Sequence, residues 1–218
     1  MADNFEPIDT RVHEYKKPVF IIYNPNSGTK RNIRSELSEG LNAEGVPFEL
    51  YETVGHGDTF TKALEFDISK YSALAAVGGD GTIYEVCNGM LMRKDKKRVP
   101  IIHIPNGSGN VNAMRTGVMS VQDAIKALKK AHVVKIDYMK IFLDFENENE
   151  IQKAGADPLK HIFNVPIDVQ IGLAADIVQN TSARMKQIFG PLAYFMTAYG
   201  LIRQSKMTKV DINLDNGR

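Results

Sequence analysis

The chain has 218 residues, a net charge of +1 at neutral pH and 43% hydrophobic residues. This length allows one large or two small domains with a substantial core, and the near-zero charge excludes long-range attraction of nucleic acid. Basic residues concentrate only over 94–98, which contains Asp95 and is predicted to be a solvated turn. The single cysteine, Cys87, excludes an internal disulfide, predicts a reducing compartment and is interpreted as a small core residue.

The N-terminal third predicts a tail followed by strand–helix units. Residues 1–17 include acids and a proline without an apolar core, so we predict a loose tail and neither a secretory signal nor a membrane span. The apolar run 18–23 predicts a strand buried on both faces, and apolar spacing predicts a helix over 32–43. Residues 48–51 predict a second strand, followed by a helix that Asp58 or Thr59 can cap.

The most informative stretch is 73–86, an apolar run that stops at Gly78-Gly79-Asp80-Gly81 and continues with helical spacing. It predicts a strand, a tight loop and a helix. Glycines permit positive φ and close backbone approach, and a helix N-terminus carries partial positive charge. Such a loop is suited to binding phosphate. The alternative is that Asp80 only caps the helix beginning at Thr82.

The remaining alternation predicts a parallel sheet. Residues 99–104 predict another buried strand, followed by a turn over 105–110 and by helices over 110–115 and 121–131. Ligands of such sheets bind at the carboxyl ends of the strands. The sequence therefore predicts that four loops meet at one edge, and these loops begin at Asn24, Thr53, Gly78 and Pro105.

The pattern changes at Val133, where a second, β-rich domain is predicted to begin. The predicted elements are extended chain over 133–144, a polar loop or hairpin tip over 145–157, a strand over 161–172, a loop or helix over 174–187, an apolar helix over 189–202 and a strand over 209–214. The apolar helix is shorter than the roughly 20 residues that span a bilayer.

Three motifs at the strand exits resemble those of the lipid kinases. Gly78-Gly79-Asp80-Gly81-Thr82, followed by Glu85 and Asn88-Gly89, resembles the nucleotide loop of the diacylglycerol kinase and sphingosine kinase family. NAD kinases and phosphofructokinases carry a related loop. The lipid kinases are favoured by two further matches, Asn-Pro-Asn-Ser-Gly over 24–28 and Pro-Asn-Gly-Ser-Gly-Asn over 105–110. The resemblance covers about residues 18–217.

The resemblance implies an α/β fold, with a three-layer, Rossmann-like parallel-sheet nucleotide domain over 18–132 and a β-rich, partial β-sandwich lipid-substrate domain over 133–218. It implies an ATP-dependent kinase that uses Mg²⁺ and phosphorylates a membrane lipid. Asp80 is the implied catalytic residue, as general base or through magnesium. The implied nucleotide-binding residues are Asn24, Asn26, Ser27, Gly28, Thr53, Gly78, Gly79, Gly81, Thr82, Glu85, Ser108, Asn110 and Arg184.

Some of these residues also have a purely structural interpretation. Asn24 can form an Asx turn at the end of a strand, and Glu85 can be an acid that favours the helix dipole. Ser108 and Asn110 can belong to a structural turn. His56, which follows Thr53 in the family's Gly-His pattern, is predicted to pack or cap rather than to bind nucleotide.

The substrate motifs point in two directions. The Tyr84-Glu85-Val86 motif, and Val111 where diacylglycerol kinases usually place an aspartate, slightly favour a sphingoid base over diacylglycerol. Val178 and Ala193 argue the other way, because sphingosine kinases place an acid and often an arginine there. An inactive nucleotide-binding module and an NAD kinase are the alternatives. We expect a cytoplasmic protein with transient peripheral membrane contact, a lipid partner and no nucleic-acid partner.

The last four residues, 215–218, resemble the first Asp-Gly turn of the family's second domain. The chain is therefore expected to be an incomplete catalytic domain. The later segment that carries the general base in bacterial members is expected to be missing from it, so little activity is expected of this chain alone.

Overall fold

The computed structural model describes residues 12–13, 17–28, 33–165, 170, 172–203 and 209. The chain divides into two compact units, 1–167 and 168–218. This division falls later than the predicted domain boundary at 132/133, which stays a prediction.

The first unit alternates strands and helices along most of its length. Its strands are β1 (Val12–His13), β2 (Val19–Tyr23), β3 (Phe48–Glu52), β4 (Ala73–Gly78), β5 (Ile101–Pro105), β6 (Ala131–His132), β7 (Met139–Phe142) and β8 (Ile162–Val165). Its helices are α1 (Ile33–Ala43), α2 (Asp58–Leu64), α3 (Asp80–Leu91), α4 (Val111–Arg115), α5 (Val121–Lys129), α6 (Glu148–Lys153) and α7 (Pro158–His161).

A four-stranded parallel sheet in the order β3-β2-β4-β5 forms the centre of this unit. Every residue of β2 and β4 is buried, as expected of strands that are covered on both faces. The predicted α/β parallel-sheet fold is therefore confirmed. The antiparallel hairpin of β7 and β8 falls within the predicted β-rich region but belongs to the first unit, so a second, β-rich domain stays a prediction.

Each face of the sheet packs against its own layer of helices. Successive side chains of β2 point alternately into the two layers, as Ile21 packs in one and Ile22 in the other. Helices α1 and α5 supply the first layer through Leu37, Leu41, Ile125 and Leu128. Helices α2 and α3 supply the second through Ala63, Ile83, Val86 and Met90. Cys87 packs against the second layer, and burial raises the pKa of its thiol to about 11, which fits the predicted core role.

Three predictions for the first unit need correction. Residues 12–13, predicted as tail, form β1 and pair with β6. The acidic segment 145–157, predicted as a loop or hairpin tip, does lie between the paired strands β7 and β8, but it contains α6, because Asn147 caps a helix whose Ile151 is buried. Helix α2 begins after Gly57, which is its N-cap in the left-handed conformation, so neither Asp58 nor Thr59 provides the cap.

The described residues of the second unit are mainly helical. Its helices are α8 (Leu173–Asn180), α9 (Ala183–Phe189) and α10 (Leu192–Leu201). They confirm the helical alternative over 174–187 and the apolar helix over 189–202. The strand predicted over 209–214 falls outside the described residues except for Lys209. In the parts of the chain that the structure describes, no helix has both the length and the apolar character needed to cross a membrane.

Candidate active site

The site lies at the carboxyl ends of the parallel strands. From the two central strands, β2 and β4, the chain leaves in opposite directions, β2 towards β3 and β4 towards β5. This reversal opens a crevice between the loops that follow them, the usual ligand site of open α/β sheets. We call these loops A (residues 24–28) and B (78–82), and the loop after β5 is loop C (105–110).

Loops A and C are joined by reciprocal contacts. The Ser27 hydroxyl donates to the Asn106 carbonyl at 3.3 Å, and Asn106 Nδ2 donates to the Ser27 carbonyl at 3.3 Å. Gly28 has φ +77°, and a Cβ added to it would lie 1.9 Å from the Asn106 carbonyl oxygen. Gly28 therefore permits this close approach by its conformation and by its size.

The backbones of loops B and C pack directly against each other at two glycines, Gly79 and Gly107. A Cβ added to Gly107 would lie 2.4 Å from Gly79 Cα. Gly79 is extended, with φ −93° and ψ −171°, and neither Gly78 nor Gly81 has positive φ. The expectation of positive φ in this loop is therefore wrong. The glycines instead allow close packing of two loops, and the Cβ position of Gly81 faces open space.

Asn24 connects loop A to the start of α3. Its Nδ2 donates to Thr82 Oγ1 at 3.1 Å across the crevice, and its Oδ1 accepts the Asn26 backbone N–H at 3.0 Å. The second contact forms an Asx turn, which is the structural role that the sequence also predicts for Asn24. Thr82 also covers Gly78, where an added Cβ would lie 2.2 Å from Thr82 Oγ1. These side chains fix the shape of the crevice floor.

Asp80 lies in the first turn of α3 and points towards loop C. Its Oδ1 accepts the backbone N–H of Asn112, in the first turn of α4, at 3.3 Å. A Cβ on Gly109 would lie 2.8 Å from its Oδ2. The N-cap residue of α3 is Gly79, which provides no side-chain hydrogen bond. Asp80 is therefore not an ordinary N-cap of its own helix, and its carboxylate instead links the first turn of α3 to the first turn of α4.

A buried histidine contacts the backbone at the start of loop B. His103 on β5 is 1% exposed, and its Nε2 lies 3.0 Å from the Gly78 carbonyl oxygen. The Asn106 backbone N–H donates to the same oxygen at 2.8 Å. Burial lowers the pKa of His103 below its ordinary value of 6.5, so the ring is neutral at pH 7 and donates from Nε2 to the carbonyl. Its Nδ1 has no partner among the described residues.

The other predicted residues are placed as follows. Thr53 is buried at the exit of β3, where its N–H donates to the Tyr23 carbonyl at 2.9 Å. Glu85 and Ser108 are half-buried. Asn110 exchanges two hydrogen bonds with Gly107, at 2.8 and 2.7 Å, and so shapes loop C itself. The structure thus brings loops A, B and C together, with Thr53 beside them.

Two further predicted residues are exposed to solvent. Arg184 is an exposed residue of α9 in the second unit, and its predicted nucleotide role stays a prediction. His56 is exposed and does not cap α2, whose N-cap is Gly57. The prediction that His56 packs or caps is therefore wrong.

Sequence reasoning missed three residues that hold the loops together. These are His103, Asn106 and Asn112. Asn106 was visible within the motif 105–110, and His103 is a polar residue in an otherwise apolar strand. Asn112 contributes only its backbone N–H, so no side-chain pattern indicates it.

Comparison with known proteins identifies the family. The family model named Diacylglycerol kinase catalytic domain matches residues 18–141. The chain belongs to this family. A diacylglycerol kinase from Staphylococcus saprophyticus subsp. saprophyticus is 27% identical over 206 residues, which cover 92% of this chain and 60% of that protein. One from Staphylococcus aureus (strain MRSA252) is also 27% identical over 206 residues, covering 92% of this chain and 58% of that protein.

A solved structure of similar fold comes from Bacillus anthracis str. Sterne, described as a candidate diacylglycerol kinase. It has a TM-score of 0.52 and 24% identity, and the match covers 66% of this chain and 53% of that chain. This chain thus spans 60% or less of the relatives named here. The relatives are named as diacylglycerol kinases, so they support neither the sphingoid-base preference nor the NAD kinase alternative.

Proposed function

We propose that the chain binds ATP at loops A, B and C and transfers the γ-phosphoryl group to the hydroxyl of a diacylglycerol-type lipid. The observation that carries the proposal is the position of Asp80, a carboxylate in the first turn of the 12-residue helix that follows β4, at the sheet edge where the strand order reverses. Membership of the diacylglycerol kinase family supports phosphoryl transfer. The names of the relatives favour diacylglycerol over a sphingoid base.

The start of α3 fits a phosphate group. Among the described residues, the backbone N–H groups of Asp80 and Gly81 donate to no acceptor, as is usual in the first turn of a helix. Open space at the Gly81 Cβ position leaves this backbone approachable. Unpaired N–H groups and the helix dipole together stabilise phosphate oxygens.

The carboxylates of α3 fit magnesium. No cluster of three or more His, Cys, Asp or Glu that could hold a metal occurs in the described ranges, so substrate phosphates and water would have to complete a magnesium site that has one or two carboxylates. Asp80 is the first candidate to hold it, and Glu85, which lies one turn beyond Gly81 along α3, is the second. When bound, Mg²⁺ would neutralise charge on the phosphates. If Asp80 does not hold the metal, its carboxylate accepts the proton of the lipid hydroxyl.

The lipid is proposed to reach the site from a membrane surface, with residues 133–218 contributing the lipid-substrate part. Helix α10 in the second unit supports this, because its large apolar side chains are outside and its small Ala193 is buried. The exposed residues are Leu192, Phe195, Met196, Tyr199 and, just after the helix, Ile202.

The proposal is tested by incubating the chain with labelled ATP, Mg²⁺ and, separately, diacylglycerol or sphingosine in mixed micelles, and NAD in solution. We expect a labelled product with diacylglycerol only. Phosphorylation of sphingosine or of NAD instead would replace the proposed substrate. Nucleotide binding without transfer to any acceptor would favour the inactive nucleotide-binding module.

A further inference from the structure

Two buried asparagines join the helix that carries Asp80 to the β7–β8 hairpin. Asn88 on α3 is 6% exposed and Asn164 on β8 is 3% exposed. Asn88 Oδ1 accepts the backbone N–H of Asn164 at 3.0 Å, and Asn88 Nδ2 donates to the backbone carbonyl of Asn164 at 2.7 Å. The same Nδ2 donates to the Tyr84 carbonyl at 3.0 Å. The two side chains meet only through Asn164 Nδ2, at 3.3 Å from Asn88 Oδ1.

Asn88 therefore binds the backbone of β8 as a neighbouring strand would. Leu143 and His161 form a hydrogen-bonded pair at the end of the hairpin, because the Leu143 N–H donates to the His161 carbonyl at 2.9 Å. Hydrogen-bonded and non-hydrogen-bonded pairs alternate along an antiparallel ladder, and the Lys140–Asn164 pair lies three positions further along the same register. It is therefore a non-hydrogen-bonded pair, and the N–H and C=O of Asn164 point away from β7. Their partner is the Asn88 amide, whose donor and acceptor match both groups.

This contact also links the two walls of a cleft. The cleft has a volume of about 830 Å³. The end of α3 lines one wall, with Leu91 and Met92, and the hairpin region lines the other, with Tyr138 and Ile162. Asn164 itself lines the cleft. The Asn88 amide therefore fixes the distance between the helix of Asp80 and the hairpin.

We propose that Asn88 is a positioning residue, which seats the β7–β8 hairpin on α3 so that the hairpin, part of the proposed lipid-substrate region, is held in register with the phosphoryl-transfer site. This inference rests on the proposed function. It predicts that loss of the Asn88 amide impairs use of the lipid while nucleotide binding is retained, because Asn88 lies two turns beyond Asp80 along α3 and contacts β8 rather than loops A, B or C.

The test compares Asn88→Ala and Asn88→Thr with Asn164→Ala in the full chain. A threonine hydroxyl at position 88 can donate to the carbonyl four residues earlier, so Asn88→Thr leaves only the Asn164 backbone without its partner. Asn164→Ala is the matched control, because it removes only the 3.3 Å side-chain contact. Thermal unfolding shows that each variant is folded.

Three measurements are needed: NMR-detected exchange of the Asn164 amide, nucleotide affinity, and kcat/KM for diacylglycerol in micelles. Both Asn88 variants should exchange that amide faster by about 10-fold or more. They should lower kcat/KM for the lipid on the order of 10- to 100-fold and leave nucleotide affinity unchanged. Asn164→Ala should resemble the wild type in all three.

Several results would overturn the inference. If Asn164→Ala impairs the chain as much as Asn88→Ala, recognition of the backbone is wrong. If the amide exchanges faster while lipid kinetics stay unchanged, the positioning role is wrong. A wild-type chain without any transfer would overturn the proposed function and the kinetic role together, while amide exchange would still decide whether Asn88 seats β8.

Discussion

Asp80 combines two properties that distinguish it from an ordinary residue at a helix start. It places a negative charge where the helix dipole is positive, and it reaches a neighbouring helix through the Asn112 N–H. The second contact needs only an acceptor oxygen, which an asparagine also has. The charge and the structural contact can therefore be separated by one substitution.

We expect Asp80→Asn to keep the contact with Asn112 and to remove the charge. If Asp80 is the base or holds magnesium, the rate of phosphoryl transfer should fall on the order of 100-fold or more. Nucleotide affinity measured without Mg²⁺ should change little. Initial rates with diacylglycerol and calorimetric nucleotide titration provide the two measurements.

The matched control for this experiment is Asp123→Asn. The Asp123 carboxylate also accepts a backbone N–H, from Met119 at 3.2 Å, at the start of a different helix. It should keep the wild-type rate. An Asp80→Asn variant with full rate and lower thermal stability would instead make Asp80 a structural link between the first turns of α3 and α4.

The same contacts show what the sequence can indicate about a site. Residues that carry a recognisable side chain in a motif, such as Asn24, Asp80 and Thr82, were predictable, and the structure places them at one edge. The partners of these residues were not predictable, because Asn112 and Gly78 act through backbone groups. A backbone group has the same chemistry at every position, so only the fold identifies which one is used.

At the scale of elements, loop A depends on a glycine at its end. Gly28 and Gly45 both have positive φ, +77° and +67°. They differ in surroundings, since a Cβ on Gly28 would lie 1.9 Å from the Asn106 carbonyl and a Cβ on Gly45 would meet nothing within 4 Å. Alanine substitutions at the two positions therefore distinguish the effect of backbone strain, which both share, from the effect of disturbing the packing of loop A on loop C, which only Gly28 has.

We expect Gly28→Ala to reduce nucleotide affinity by about 10-fold or more, because loop A must move away from Asn106 and the contact geometry of the crevice changes. Gly45→Ala should cost only the backbone strain of about 1 kcal/mol and leave affinity unchanged. Nucleotide titration and thermal unfolding of both variants measure these effects. Equal affinities in the two variants would remove loop A from the nucleotide site.

Helices and strands were predicted correctly where one face or all of the element is buried. The prediction failed where the element forms only because it packs against a segment far along the chain. β2 and β4 are continuous apolar runs and were predicted closely. β1 exists because β6 lies beside it, more than 100 residues later, and no local pattern encodes that pairing. Helix α6 lies within an acidic stretch and has a single buried residue, Ile151. One apolar residue is too few to produce a helical hydrophobic period in the sequence.

At the scale of the whole molecule, alternating strands and helices predicted the parallel sheet, because each crossover must return to the same edge. Strand order was not predictable in this way. The order β3-β2-β4-β5 depends on which strands pack side by side, and this order creates the crevice in which loop B lies. The family motifs indicate a candidate site without any knowledge of the strand order.

The last prediction concerns how the molecule reaches a lipid. Helix α10 exposes Phe195 by 74% and Tyr199 by 78%, one turn apart on the same face. Burial of such side chains contributes roughly 1.5–3 kcal/mol each, so Phe195→Ser with Tyr199→Ser should weaken binding to diacylglycerol-containing vesicles by on the order of 10-fold or more. Because both side chains are exposed, the thermal stability of the double variant should change little.

Met119→Ser, at 59% exposure in the first unit, is the control and should bind like the wild type in vesicle sedimentation. Equal binding by all three proteins would show that α10 does not contact the membrane, and the lipid would then have to reach the crevice by another surface.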